Sequence, residues 1–468
     1  MSFNSISFFT FLVLVILLYR VLPYKYGKVV LVVASYYFYG ATIPWYCLLL
    51  FASTITDFFA GQWIYKAQSK IKKKRILWIS ILVNLGLLFV FKYYDFVAEN
   101  LNFLFVNLGT AQLPLIDVIL PVGISFYTFQ TLSYTIDIYR GKATPCKDFT
   151  TFSLYVAYFP QLVAGPVERS NFLIPQLKKK HQVSAGEIMH GVERILWGLI
   201  KKVVFADRLA VFVNQIFSSP EDASSLLVVL AILAFSMQLY LDFSGYCDIA
   251  VGVARLMGVR LSENFNWPFS ASNPSDFWNR WNITLTHWFR DYFYNPLGGL
   301  MRKDMWRSFL NIMFFFTAVG FWHGANWNFL LFGIYNGLLV VWYTYWRVFK
   351  QRKILNNPFI VWLGSVIIIK LTIHAGMFFF RIPDVSSGII LIQKLYSNTW
   401  FYLDSQLPFI LLALGTYILV LIRGHYSKQI RTNWLWLQSI RPFSNFILLI
   451  ILLYAGFSYK ESFIYFQF

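Results

Sequence analysis

Apolar residues along this chain gather into long runs. Runs near 5–19, 28–40, 43–62 and 76–93 come first. Others follow near 115–139, 151–165, 188–205, 224–251, 308–322, 328–346, 358–381, 407–423 and 444–457. At ~20 residues per crossing this pattern predicts about eleven membrane segments, the shorter runs falling short of a full crossing. The run 151–165 contains Pro160, and Gly165-Pro166 ends it. Broken backbone at membrane depth is tolerated only where it is buried in protein or lines a wet cavity, so a re-entrant hairpin is expected there. No internal repeat, low-complexity tract or linker interrupts the pattern. The expected fold class is an all-α polytopic membrane protein, with one integral domain over 1–468.

Composition sharpens this picture. Charged residues make up 13% of the 468 residues and hydrophobic residues 58%, against about 25% charge in ordinary soluble chains. That excludes a typical cytosolic enzyme. Aromatics at 20% suit a protein with much surface at the membrane–water boundary. Cys47, Cys146 and Cys247 stand far apart, without metal-ligand spacing, and read as packing residues. The net charge of +19 would suggest nucleic acid in a soluble protein. Here it fits cytoplasmic loops facing anionic lipid, and no nucleic-acid partner is expected. The basic loop 65–75 is assigned to the cytoplasm. Counting from it puts Arg20, Lys25 and Lys28 inside, the N-terminus outside, and Asp95–Glu99 outside. The first span has no basic leader and no small-residue cleavage site, so it reads as a retained helix.

The stretch 252–307 is too polar for a lipid-facing span and too aromatic for a simple loop. As one helix from 276 to 293 it would place Asp276, Arg280, Thr284, His287 and Asp291 on one face. Asn282 and Thr286 would share another face, beside Trp278 and Phe289. Asn295-Pro296-Leu297-Gly298-Gly299 is a helix stop.

Of the six histidines, His181 and His425 sit among basic residues and read as solvated. His190, beside Glu193 and Arg194, fits capping or interface packing. His374 lies in an apolar run, where a functional histidine and a neutral core histidine are equally expected. His323 differs. It closes the run 308–322, ~20 Å of helix from Phe309, and Gly320 and Gly324 flank it. Glycine there allows close approach of a ligand or another helix. A histidine at that depth loses its charge through desolvation, and a neutral imidazole is what a general base for a hydroxyl requires. A histidine bracing a helix break is the structural alternative. Lys201-Lys202 and Asp207-Arg208 interrupt an apolar helix, and snorkelling to the interface is expected for them rather than binding of a donor phosphate. Nucleophile elbows, zinc-protease motifs and phosphate-cradling loops are missing.

The strings Asp276-Phe277-Trp278-x-Arg280-Trp281, Arg290-Asp291-Tyr292 and Asn295–Gly299 resemble the signature of the membrane-bound O-acyltransferase (MBOAT) family, most of all its bacterial alginate O-acetyltransferase branch. Gly320-Phe321-Trp322-His323-Gly324-Ala325-Asn326-Trp327 is similar to that family's catalytic histidine motif. Further similar strings are Pro121–Phe126, Phe159–Pro166 and Tyr240–Asp248, so the motif-bearing core covers about 121–340. The resemblance implies an MBOAT fold, with re-entrant and interfacial helices around a tunnel. It implies an acyl donor entering from the cytoplasm, with acetyl-CoA as co-substrate and no bound cofactor or metal. His323 would be the base, and a polysaccharide or peptidoglycan hydroxyl the acceptor. Arg280, Trp281, Trp322, Asp291 and His287 are the candidate substrate-binding residues. Bacterial relatives often carry histidine directly after Arg-Trp, where this chain has Asn282. An asparagine amide can orient or polarise a thioester carbonyl, and five residues of helix (~140°) would turn His287 away from it. Asn282 is therefore the second catalytic candidate.

The leading expectation is an O-acetyltransferase of the bacterial inner membrane, working with a periplasmic esterase-fold partner. D-alanyl transfer to teichoic acid from a carrier protein is a second enzymatic reading. A transporter would be expected to show paired broken helices in two related halves, and the sequence has none.

Overall fold

The computed structural model describes Met1, residues 3–349 and 358–396, and short stretches within 408–464. His425 and most of the runs 407–423 and 444–457 lie outside the described residues. Every regular element among the described residues is helical. The helices group into two compact units, each built from two separated stretches. The first is Met1–Ile195 with Tyr246–Ser262, and the second is Leu196–Gly245 with Glu263–Phe468.

In chain order the helices are α1 (Ile6–Val21), α2 (Tyr24–Gly40), α3 (Tyr46–Lys66), α4 (Lys70–Leu88), α5 (Tyr94–Asn107), α6 (Ile124–Tyr139), α7 (Phe149–Ala157), α8 (Ser170–Leu177) and α9 (Ala185–Leu199). They continue with α10 (Asp207–Ser218), α11 (Ser225–Leu256), α12 (Pro274–Trp278), α13 (Ile283–Phe289), α14 (Met305–His323), α15 (Trp327–Thr344), α16 (Pro358–Arg381) and α17 (Val385–Leu395). Among the described residues, four helical stretches are long and apolar enough to cross a membrane: Tyr46–Lys66, Lys70–Asn107, Ser225–Leu256 and Trp327–Val348. The protein is a multi-pass membrane protein. In Lys70–Asn107 only 22% of the apolar stretch is buried in protein, against 72% in α11. The first is therefore largely exposed and the second largely covered by protein.

The two broken runs differ from simple spans for visible reasons. In the run 115–139 the helix begins only at Ile124, after Gly123 at φ +81°. A Cβ at Gly123 would sit 2.8 Å from the Leu162 carbonyl oxygen, so this glycine permits both the turn and the close approach. In the run 151–165 the helix stops at Ala157, and turns carry the chain to Gly165.

The first unit buries polar side chains on α3, α4 and α6. Asp57 is fully buried and accepts hydrogen bonds from Ser80 Oγ (2.5 Å) and Asn84 Nδ2 (2.8 Å). Thr131 Oγ1 in turn donates to Asn84 Oδ1 at 3.3 Å. Buried polar groups in membrane-spanning helices need partners within the protein, and here the helices satisfy one another. Elsewhere in this unit α9 and α11 meet at glycines. A Cβ on Gly252 would lie 2.6 Å from the Gly191 carbonyl oxygen, and one turn away Arg194 Nε pairs with Asp248 at 2.6 Å. His181, expected to be solvated, is half-buried with Nε2 2.9 Å from the Gln176 carbonyl oxygen.

Glu168, just before α8, is buried and accepts hydrogen bonds from the Ser262 amide and from Ser262 Oγ at 2.9 Å. Burial outweighs these bonds and pushes its carboxyl from 4.5 up to about 7. The folded state thus keeps a proton that the unfolded chain releases, so stability falls as pH rises from about 4.5 through about 7. The midpoint of thermal unfolding in detergent is expected to drop between pH 5 and pH 8, and Glu168→Gln to flatten that slope. An unchanged slope in the variant would place the pH dependence elsewhere.

In the second unit a Cβ on Gly245 would lie 2.7 Å from the Gly198 carbonyl oxygen. Lys202, four residues after Gly198, is not at an interface. It is buried, with Nζ 2.6 Å from Asp242 and 2.9 Å from Asp207. The snorkelling expected of it does not occur. The cause is a π-helical turn at Ile200–Ala206, in which the Asp207 amide bonds the Lys202 carbonyl. A five-residue repeat brings Asp207 beneath Lys202, whereas an α-helix would separate them. Asp242 Oδ2 also accepts from the Ile464 amide at 2.7 Å.

Candidate active site

The polar stretch after α11 is not one helix from 276 to 293. Helix α12 ends at Trp278, and α13 begins at Ile283 after Asn282 in the left-handed conformation (φ +42°, ψ +57°). Asparagine is among the few non-glycine residues that tolerate this region. The face expected from a continuous helix is therefore split, although Arg280 Nε still reaches Asp276 Oδ1 at 2.8 Å.

A neighbouring segment holds the break open. The Ile283 amide donates to the Asn264 carbonyl at 2.9 Å, and the Thr284 amide to Asn264 Oδ1 at 3.2 Å. The Arg280 carbonyl accepts from the Asn266 amide at 3.0 Å, and Arg280 Nη1 donates to Ser270 Oγ at 3.2 Å. An asparagine at a helix N-cap ordinarily satisfies the first free amides with its own side chain. Here Asn264 supplies that cap, and Asn282 makes no capping bond.

Both amide atoms of Asn282 are buried without a hydrogen-bond partner among the described residues, and the residue is 2% exposed. Such a group costs about 1–3 kcal/mol unless something else binds it. Asn282 lines a recess of about 270 Å3, counted out to its mouth, whose wall also includes His323, Trp278, Trp281, Leu285, Thr286, Phe315 and Val319. One wall is α14, where Phe315, Val319 and His323 fall at successive four-residue steps on one face. The facing wall is α13 with its preceding turn.

His323 ends α14 and is 5% exposed. Its ring meets Phe380 at 5.0 Å and Phe332 at 5.8 Å. Helices α14 and α15 approach closely behind it, since a Cβ on Gly320 would lie 2.3 Å from the Phe329 carbonyl oxygen. Trp281 is buried against Phe277, Phe265 and Phe269, which fixes the wall it forms.

The other sequence candidates lie around this recess rather than in it. Trp322 is buried beside His323, with ring centroids 4.9 Å apart, but is not part of the recess wall. Arg280 binds the loop that holds the break. Asp291 pairs with Arg290 at 3.0 Å on exposed surface, and half-buried His287 does not line the recess. His374 is a buried core histidine, 2.7 Å from Ser236 Oγ and stacked on Phe269 at 5.6 Å. Phe315, Val319 and Leu285 were not singled out from the sequence. For Phe315 and Val319 the four-residue spacing toward His323 was the available signal; Leu285 had none.

The sequence profile of the membrane-bound O-acyltransferase family matches residues 33–380, a wider span than the motif-bearing core. The chain belongs to the MBOAT family. It is accordingly a membrane acyltransferase. Among its relatives, "Probable alginate O-acetylase AlgI" of Azotobacter vinelandii is 37% identical over 335 residues, 71% of this chain and 66% of the relative. The protein of the same name from Pseudomonas aeruginosa is 34% identical over 402 residues, 85% of this chain and 75% of the relative. The "Peptidoglycan O-acetyltransferase" of Helicobacter pylori is 32% identical over 391 residues, 78% of this chain and 72% of the relative.

Proposed function

We propose that this MBOAT protein carries an acetyl group from a cytoplasmic thioester donor, acetyl-CoA, across the bacterial inner membrane to hydroxyls of an exported polysaccharide or of peptidoglycan. The observation that carries the reading is the recess itself, where the buried, unpartnered amide of Asn282 and the imidazole of His323 face the same space. His323 takes the proton of the acceptor hydroxyl as its oxygen attacks the thioester carbonyl. The Asn282 amide N–H donates to the carbonyl oxygen as negative charge develops there. The C–S bond then breaks, the ester remains on the acceptor, and His323 returns the proton to the departing thiolate. Where a periplasmic esterase-fold partner completes the transfer, its own hydroxyl is the acceptor at His323 and the polymer receives the acetyl from it.

The test is transfer of labelled acetyl from acetyl-CoA in proteoliposomes, with alginate oligomers and peptidoglycan fragments offered as acceptors. Label on either acceptor supports the reading. Transfer of D-alanine from a carrier protein in place of acetyl would replace it with teichoic acid D-alanylation.

A further inference from the structure

We infer that Asn264 is a positioning residue for acyl transfer: by capping α13 in place of Asn282, it keeps the Asn282 amide turned toward the recess. The inference rests on the reading above in which Asn282 binds the reacting carbonyl, and it adds a residue outside the recess wall to that machinery. Asn264 is 1% exposed, and three hydrogen bonds tie it to the first turn of α13. Its carbonyl accepts from the Ile283 amide at 2.9 Å. Its Oδ1 accepts from the Thr284 amide at 3.2 Å and from Thr284 Oγ1 at 2.6 Å. Two residues on, the Asn266 amide bonds the Arg280 carbonyl at 3.0 Å. The strip 264–266 therefore grips the chain on both sides of Asn282. Phe265, between the two asparagines, packs edge-on against Trp281 at 5.2 Å, and against Phe243 and Tyr240 of α11 at 5.1 and 5.7 Å. The grip is thus anchored on α11 rather than on α13 itself.

Asn282 stands at the N-cap of α13, where an asparagine side chain ordinarily accepts from the amide two or three residues on. Thr284 carries the first of those amides. With Asn264 in place that amide is already taken, so capping does not compete with the recess for the Asn282 side chain. Without Asn264 Oδ1 a partly buried amide at the start of α13 loses its acceptor, a state that folded chains avoid. The Asn282 side chain is the nearest along the chain that can supply one. A capping asparagine holds extended backbone, so Asn282 would leave its left-handed conformation as it turned to cap. Its amide would leave the recess, while His323 on α14 would stay where it is.

The experiment measures transfer of labelled acetyl from acetyl-CoA in proteoliposomes, or of D-alanine from its carrier if wild type takes that donor. Asn264→Ala, Asn282→Ala and the pair together are assayed, with unfolding midpoints alongside. Asn282→Ala is expected to lower kcat by about 10²–10³-fold, the usual loss for one donor to a developing oxyanion. Asn264→Ala is expected to lower kcat by at least about tenfold with KM for the donor unchanged, as for an interaction made only in the transition state. The double variant separates positioning from a merely structural role. A residue acting through Asn282 adds nothing once that amide is gone, so the double variant is expected to match Asn282→Ala within about threefold. Should Asn264→Ala not fold, Asn264→Val, suited to extended backbone and without an acceptor, carries the same comparison. Asn264 variants at the wild-type rate, or losses that multiply in the double variant, would overturn the inference and leave Asn282 its role. Asn282→Ala at the wild-type rate would overturn that role and the inference with it.

Discussion

His323→Ala is expected to lower acyl transfer by about 10²–10⁴-fold, the usual contribution of a positioned general base. The same loss is expected of His323→Gln, which nearly preserves the volume packed against Phe332 and Phe380 and so keeps the end of α14 in place. Initial rates of labelled acetyl transfer, read with the elution profile of each variant in detergent, check the expectation. Equal loss in both variants with wild-type elution assigns the effect to the missing base. A glutamine variant that transfers acetyl at the wild-type rate would move the proton acceptor to another group and leave His323 as a brace for the α14–α15 crossing. An intermediate outcome is informative too. Loss in alanine alone would mean that volume, not basicity, is what position 323 supplies.

Lys202→Met is expected to destabilise the folded protein by about 3–5 kcal/mol, because it leaves two buried carboxylates without their shared cation. Lys202 Nζ lies 2.6 Å from Asp242 and 2.9 Å from Asp207, and all three side chains are nearly sealed from solvent. Removing an acidic partner as well should relieve part of the penalty, so Lys202→Met with Asp242→Asn should melt above Lys202→Met alone. Thermal unfolding in detergent, followed by the intrinsic fluorescence of the 17 tryptophans, reads both. A single variant that melts with wild type would mean the cluster contributes nothing to stability.

The architecture was legible where a short-range pattern sets it. Apolar runs gave the helices of the early chain, and flanking glycines marked the end of α14 at His323. What the sequence hid was set by residues distant along the chain. Asn282 looked like an interior helical residue because the cap that frees it comes from Asn264, on another segment. With the helix broken there, a rotation of five residues no longer measures how His287 stands to Asn282, even though His287 lies outside the recess. Two asparagines bracketing Arg280-Trp281 were a local hint of the break, since asparagine is suited to left-handed turns. Lys202 looked like an interfacial lysine because an α-helical count puts Asp207 on the wrong side. Only the π-helical turn, invisible to a period of 3.6, brings the pair together. The apolar side of the recess wall was hidden differently. Phe315 and Val319 are ordinary residues of an apolar helix until α13 is laid against them.

The Lys202 cluster also carries a timetable for biosynthesis. A lone lysine at the centre of a membrane-inserting helix is disfavoured by about 2.5–3.5 kcal/mol. Asp207 follows only five residues later, so the emerging segment can neutralise its own charge before any other helix exists. Asp242 arrives about forty residues after Lys202, roughly two to eight seconds at 5–20 residues per second. It brings a second negative charge to a cluster that is already neutral. The amide that also binds it, that of Ile464, is made 222 residues later still. Between those two moments the ribosome exposes a half-finished cluster to the bilayer, and a membrane chaperone able to shelter one surplus carboxylate would have its longest opportunity there.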